Sequence, residues 1–155
     1  MIADYEIALA RASDAAGIAT LSRDAIEHGL TWSWTPGRVL RNMRDAATNT
    51  LVARERQSVA GFAIMKYGDD RAHLLLMAVH STKRRRGIGS ALLDWLEVTV
   101  RTAGMESIRI EARDTNTAAR KFYARHGYRQ SQHLRGYYQG LDDAVVLHKI
   151  LRVPA

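Results

Sequence analysis

Apolar and polar positions change rhythm several times along the 155-residue chain, and each change marks a predicted element. Residues 5–11, Tyr-Glu-Ile-Ala-Leu-Ala-Arg, alternate and are rich in apolar types, as in a half-buried strand. Ser13 or Asp14 then caps a helix carrying Ile18, Leu21 and Ile26. Residues 28–34, His-Gly-Leu-Thr-Trp-Ser-Trp, break the period and read as a loop. Thr35-Pro36 starts a second helix, with a capping hydroxyl and a proline at the first helical position. That helix runs to about Ala47 and presents Val39, Leu40 and Met43. Residues 50–54 and 58–67 form a predicted hairpin, and a turn at Gly68-Asp69-Asp70 leads into the apolar run Leu74–Val79, short enough to be one buried strand.

Beyond that run, Ile88, Leu92, Leu96 and Val100 fall four apart, along one face of a helix over 87–103 that stops at Gly104. Ser107–Ala112 is the next strand, and a right-handed connection sets it parallel to Leu74–Val79. Thr115 or Asn116 starts a further helix bearing Ala119, Phe122 and Tyr123, closed by Gly127. Residues 128–138 and 143–151 read as two final antiparallel strands around a turn near Gly140. The pattern predicts one α/β domain with a mixed sheet, without internal repeats or linkers.

The chemistry gathers between the Leu74–Val79 strand and the helix after it. There Lys83-Arg84-Arg85-Arg86 runs into Gly87-Ile88-Gly89. The first N–H groups of a helix lack partners, and its dipole places positive charge beside them. Glycines let a phosphate approach the backbone, and arginines can clasp its oxygens. Gly89 needs a reason to stand inside a helix, where glycine costs about 1 kcal/mol relative to alanine, and close approach of a ligand is one. The stretch reads as a diphosphate cradle; a solvated basic turn with loop-shaping glycines is the alternative. A Walker A loop is excluded because no Gly-Lys-Ser/Thr follows at the required spacing, and Ala91, Leu92 and Leu93 stand where a Rossmann fingerprint expects its third glycine.

Composition narrows the field. A hydrophobic fraction of 46% and a charged fraction of 25% are ordinary for a soluble globular protein. No apolar run approaches the roughly 20 residues of a membrane span, and residues 1–14 lack the basic and apolar regions of a signal peptide. The expected compartment is the cytoplasm, with no membrane partner. The absence of cysteine excludes disulfides, thiolate metal sites and a cysteinyl acyl-enzyme. The six histidines form no pair at metal-ligand spacing, so no metal is expected. A net charge of +7 suggests an anionic partner. Nucleic acid is disfavoured, because the one dense basic cluster sits in the cradle and no helix gathers arginines on one face.

Two separated motifs then coincide. Arg84-x-x-Gly87-x-Gly89 follows one strand, and Asn116-x-x-Ala119-x-x-x-Tyr123-x-x-x-Gly127-Tyr128 follows the next. Together they resemble the GNAT superfamily of acyl-CoA-dependent N-acyltransferases, well over residues 50–151 and in outline before. The resemblance implies one acyltransferase domain over residues 1–155. Its sheet would be mixed and mostly antiparallel, with about seven strands, helices on both faces and a parallel central pair. It implies that backbone groups of Met77, Ala78 and Val79 lie along the pantetheine arm of acetyl-CoA. The backbone of Arg84, Arg85, Arg86, Gly87, Ile88, Gly89 and Ser90 would hold the pyrophosphate, and Asn116 would contact the arm. Ser81 stands where the family usually has a proline.

Glu111-x-Arg113-x-x-Asn116 and Tyr137-Tyr138-x-x-x-x-Asp143-Ala144 resemble motifs of ribosomal-protein and other N-terminal α-amine acetyltransferases, whereas the 28–34 loop departs from their peptide-binding loop. On that match Glu111 is the base and Tyr123 the acid. Trp32, Trp34, Tyr137 and Tyr138 are candidate walls of the acceptor pocket, although the two tryptophans equally suit packing under the second helix. An α-amine of pKa about 8 is neutral in about a tenth of molecules at neutral pH, against roughly one lysine in a few thousand. This favours a weakly basic amine. A backbone N–H near Val79 would stabilise the oxyanion, and without cysteine the amine attacks directly in a ternary complex. The predicted activity is acetyl transfer from acetyl-CoA to a protein N-terminus or a small amine. The competing readings are a non-catalytic acyl-CoA sensor and a basic nucleic-acid-binding module. A homodimer is compatible with either kind of reading.

Overall fold

The computed structural model describes residues 5–84 and 87–152. The strands are β1 (Glu6–Leu9), β2 (Thr48–Glu55), β3 (Ser58–Tyr67), β4 (Arg71–Val79), β5 (Ser107–Arg113), β6 (Arg129–Tyr138) and β7 (Asp142–Ile150). The helices are α1 (Ala15–Ala25), α2 (Pro36–Met43), α3 (Ile88–Thr102) and α4 (Thr117–Arg125). The strands form one sheet in the order β1-β2-β3-β4-β5-β7-β6, antiparallel throughout except for the β4–β5 pair. The mixed sheet with a parallel centre is therefore as the sequence predicts.

Helices cover both faces. The stripe Ile88, Leu92, Leu93, Leu96 and Val100 of α3, with Tyr123 of α4, packs on Leu74, Ile108 and Ile110. On the other face, Ile18 and Ala19 of α1 and Val39 of α2 pack on Val52, Phe62 and Ile64. A buried ion pair pins the start of α1 to the sheet: Arg54 Nη2 lies 2.7 Å from Asp14 Oδ2, and both side chains are 7% exposed. Burial alone would raise the Asp14 carboxyl, but hydrogen bonds from Arg54 and the Arg11 backbone outweigh it and hold it below its ordinary range.

Element ends differ from the pattern for local reasons. Helix α2 stops at Met43, four residues before the expected end, because Asp45 accepts hydrogen bonds from the Ala47 backbone (2.9 Å) and the Thr48 hydroxyl (3.2 Å). This Asx turn sends the chain straight into β2. Strand β4 begins at Arg71 rather than Leu74, since Arg71–Leu74 is the part that pairs with β5.

That parallel pairing ends at Leu74 and Ile110. On its other side β4 pairs with β3, with Leu74 opposite Met65 and Leu76 opposite Ile64, so Leu75 is bulged out of the ladder. A bulge bends its strand and sharpens the twist. Beyond it β4 and β5 part, and a gap opens through the middle of the sheet.

Candidate active site

The gap is the head of a cleft of about 630 Å³ that crosses the sheet. On the α1–α2 face it is lined by Glu27, Trp34, Arg38, His73, Glu111 and Tyr137. Ala119 and Tyr123 of α4 line it from the other face, with Asn116 at the start of that helix.

Backbone geometry sets the β4 wall. The His80 N–H donates to the Ala60 carbonyl at 2.8 Å, and antiparallel partners alternate between bonded and non-bonded pairs. Continued along the register, Ala78 and Leu76 spend their backbone groups on Phe62 and Ile64. Those of Met77 and Val79 point away from β3, towards the gap. Ala78, grouped with them from sequence, is thus turned to the sheet by the period of two.

The basic turn is described at Arg84, whose Nε donates to the Val79 carbonyl at 3.4 Å and whose side chain lines the cleft. Arg85 and Arg86, also expected to bind cofactor, lie outside the described residues. Gly87 caps α3 at φ +80°, and a Cβ there would meet nothing within 4 Å. The glycine permits the left-handed conformation, and it leaves open space before the helix. No side chain among the described residues caps α3, and the Gly87 carbonyl accepts from the Ala91 N–H at 2.9 Å. Ile88 is 1% exposed in the core, so it can offer a ligand only its backbone. Ser90 pairs its hydroxyl with His126 Nε2 at 3.0 Å. Gly89 has a different reason from the one expected: a Cβ there would stand 3.2 Å from the Phe122 ring, so glycine lets α3 and α4 pack closely.

Asn116 caps α4, its Oδ1 accepting from the Ala119 N–H at 3.1 Å. Its side-chain amide N–H groups have no partner among the described residues, and the residue lines the cleft. Tyr123 also lines the cleft, is 6% exposed, and meets Phe122 and Tyr128 edge-on. Burial raises its phenol well above the ordinary range, with Tyr138 adding to the shift.

Glu111 is held on the opposite wall. Its side chain is 7% exposed; Oε1 accepts from Arg109 Nε at 2.8 Å and Oε2 is hydrogen-bonded to His73 Nε2. Burial would raise this carboxyl, but the bonds and charges of His73 and Arg109 prevail and hold it below its usual range. It is a carboxylate at neutral pH.

The aromatic candidates divide. Trp34 is buried in the α1–α2 core, touches the cleft and carries the Arg38 guanidinium 3.9 Å over its ring. Trp32 does not line the cleft: its indole N–H donates to the Ala19 carbonyl at 3.2 Å and ties the loop to α1. Tyr137 and Tyr138 both face the cleft, edge-on to each other at 5.0 Å. Arg113 backs Tyr138, 5.8 Å from its ring centroid, and lies 3.6 Å from Asp142.

Three groups escaped the sequence reading. Glu27, 6% exposed, accepts from the Ser33 and Trp34 backbones and the Ser22 and Ser33 hydroxyls, and so shapes the 28–34 loop. Gln139 exchanges two hydrogen bonds with the Thr31 backbone, at 3.0 and 2.9 Å, clamping that loop to the β6–β7 turn. His73 is the third. A histidine immediately before the apolar run Leu74–Val79 was its only sequence signal.

Asp114, His133 and Asp143 bring three potential ligand atoms within 4.8 Å of one another at the β5–β7 end. Both carboxylates already hold protein partners, Asp114 with Arg120, and Asp143 with His133 and the Gly136 N–H.

Among known proteins, the chain is 36% identical over 92 residues to an uncharacterized N-acetyltransferase of Methanocaldococcus jannaschii, covering 59% of each chain. It is 35% identical over 92 residues to the [ribosomal protein bS18]-alanine N-acetyltransferase of Salmonella typhimurium, covering 57% of this chain and 62% of that one. The matched stretch therefore spans about three fifths of the length of these relatives. In structure it superposes on Ard1 from Thermoplasma volcanium with a TM-score of 0.86 at 27% identity, over 97% of this chain and all of that one. The acetyltransferase (GNAT) family matches residues 18–128, which include the bulged β4, the glycine-capped α3 and the Asn116–Tyr123 helix, and the chain belongs to that family.

Proposed function

We propose that the chain is an acetyl-CoA-dependent N-acetyltransferase whose acceptor is the α-amine of a peptide N-terminus. The observation that carries this reading is the gap between β4 and β5. On one side it offers the outward backbone groups of Met77 and Val79, where an amide-bearing arm can pair as a short extra strand. At its end stands the open, glycine-capped start of α3 beside Arg84, suited to a diphosphate. Arg85 and Arg86 complete the cradle in this reading, and the Asn116 amide contacts the arm.

The donor enters from the α3–α4 face and the amine from the α1–α2 face, where Tyr137, Tyr138 and Trp34 wall its path. The amine attacks the thioester carbonyl directly, an N–H of β4 polarises the oxygen, and the proton passes to the Glu111 side. Tyr123 protonates the leaving thiolate. Burial raises this phenol, and the same dry site raises the thiolate it serves, so the transfer stays feasible. The names of the relatives, a ribosomal-protein alanine N-acetyltransferase among them, favour the α-amine over a small amine. No described helix is long and apolar enough to cross a membrane, and we assign the enzyme to the cytoplasm.

Thiol release from acetyl-CoA against N-terminal peptides, amino acids, polyamines and aminoglycosides tests this reading. Turnover with peptides is expected. Turnover only with a small amine reassigns the acceptor, and cofactor binding without any turnover makes the chain an acyl-CoA sensor. Tyr123→Phe is expected to lower turnover about 100-fold or more while leaving cofactor affinity nearly intact. Unchanged turnover removes the acid role.

A further inference from the structure

We infer that the acceptor peptide carries an acidic side chain close behind its N-terminal residue, and that Arg38 is the residue that reads it. This deepens the N-acetyltransferase reading above and rests on it. The observation is an imbalance between the acids and the arginines that line the cleft. Its two described carboxylates, Glu27 and Glu111, are both engaged by protein donors. Glu27 accepts from the Ser33 and Trp34 backbones and from the Ser22 and Ser33 hydroxyls. Glu111 accepts from Arg109 at one oxygen and is bonded to His73 at the other. The arginines on the acceptor side are not matched in this way. Arg38 hydrogen-bonds through its backbone alone, its N–H donating to the Thr35 hydroxyl at 3.4 Å and its carbonyl accepting from the Asn42 amide at 2.9 Å. No described residue pairs with its guanidinium donors. Arg113 lines the same cleft with Nη1 3.6 Å from Asp142, and its Nε and Nη2 are buried without a partner among the described residues.

The fold makes Arg38 ready for an anion. Its guanidinium lies 3.9 Å over the ring of Trp34, which is buried in the α1–α2 core and tied by its backbone N–H to Glu27. Such a contact spends the face of a guanidinium and leaves its N–H edge free to bond. A side chain held this way also has less freedom to lose when a ligand arrives. Arg38 stands third in α2, where the helix dipole favours a carboxylate, yet the first turn holds no acidic residue. A carboxylate on the acceptor supplies that negative charge. Its two oxygens accept from the Arg38 fork, and the positive charge of Arg113 adds to the attraction. A basic side chain in the same place meets two arginines instead. The α-amine itself stays beside Glu111, so the acidic side chain belongs to a residue that follows the acetylated one.

Three alanine-initiated peptides test this, identical except that the next three residues are all glutamate, all glutamine or all lysine. Ratios of kcat/KM are compared within one preparation, so a partly unfolded variant does not distort them. With acetyl-CoA, the wild type is expected to favour the glutamate peptide over the glutamine peptide about 10-fold or more, with the lysine peptide poorest. Arg38→Gln is expected to bring the glutamate-to-glutamine ratio within about twofold of unity, and Arg38→Glu to reverse the order in favour of lysine. Equal turnover of the three peptides by the wild type overturns this inference and leaves the N-acetyltransferase reading standing. So does a glutamate preference that Arg38→Gln leaves intact, since the general positive charge of the chain then accounts for it. Turnover of none of the peptides overturns both.

Discussion

Glu97 and Glu111 both have buried carboxylates with basic partners, yet they face different surroundings. Glu97, in the middle of α3, is 4% exposed and holds the Tyr128 hydroxyl at 3.0 Å and Lys149 at 2.9 Å, with Arg101 at 3.6 Å. These contacts join α3, the end of α4 and β7, and none of the four residues lines the cleft. Glu111 is about as buried, but one of its partners is an imidazole open to the cleft. Burial and ion pairing therefore do not mark a catalytic carboxylate. What sets Glu111 apart is a titratable partner that faces a space a substrate can enter.

Substitutions at the two sites separate stability from turnover. Glu111→Gln carries the largest effect on function: turnover is expected to fall by 100-fold to 10,000-fold, roughly the range of a proton-transfer group, far more than the lower melting temperature from its lost ion pairs accounts for. Steady-state kinetics beside a thermal melt check both halves; an active variant makes Glu111 a second Glu97. Glu97→Ala strands the buried Tyr128 hydroxyl and is expected to cost about 2–3 kcal/mol of stability. Chemical denaturation measures that loss, while turnover of the folded fraction stays within about twofold. A large loss of turnover in fully folded Glu97→Ala would collapse the distinction.

Acid sharpens the comparison further. The folded Asp14 and Glu111 carboxyls both sit below their ordinary values, because hydrogen bonds, from Arg54 and the Arg11 backbone to Asp14 and from His73 and Arg109 to Glu111, outweigh burial. Their stabilising contribution is thus complete above the unfolded carboxylate value of about 4 and is lost as pH falls through the lower folded values. Asp14→Asn is expected to flatten the acid slope of stability without changing turnover in the fraction that folds. An unchanged slope would mean that Arg54 does not hold the Asp14 charge. The smallest effect is expected at Tyr137→Phe, since this half-exposed phenol walls the cleft by its ring. Turnover should stay within about threefold of wild type; a larger drop would give its hydroxyl a part in acceptor binding.

Much of this was legible in the residue pattern because the signals are local. The period of four from Ile88 to Val100 specifies the buried face of α3, and Thr35-Pro36 and Asn116 mark helix starts by hydroxyl, ring and amide chemistry that acts within three residues. The strand–helix–strand order predicted the mixed sheet with its parallel centre, and the Arg84–Gly89 and Asn116–Tyr128 motifs led to the family. Tertiary contact alone decided the rest. Gly89 looked like a ligand's glycine until Phe122, 33 positions away, proved to fill the space. Trp32 and Trp34 looked equivalent, yet one indole bonds to Ala19 and only the other reaches the cleft. His73 and Glu111 are 38 residues apart, and nothing local in either strand announces the other. Their pairing depends on parallel register and on a bulge at Leu75, both set by what packs across the sheet rather than by any run of residues along the chain.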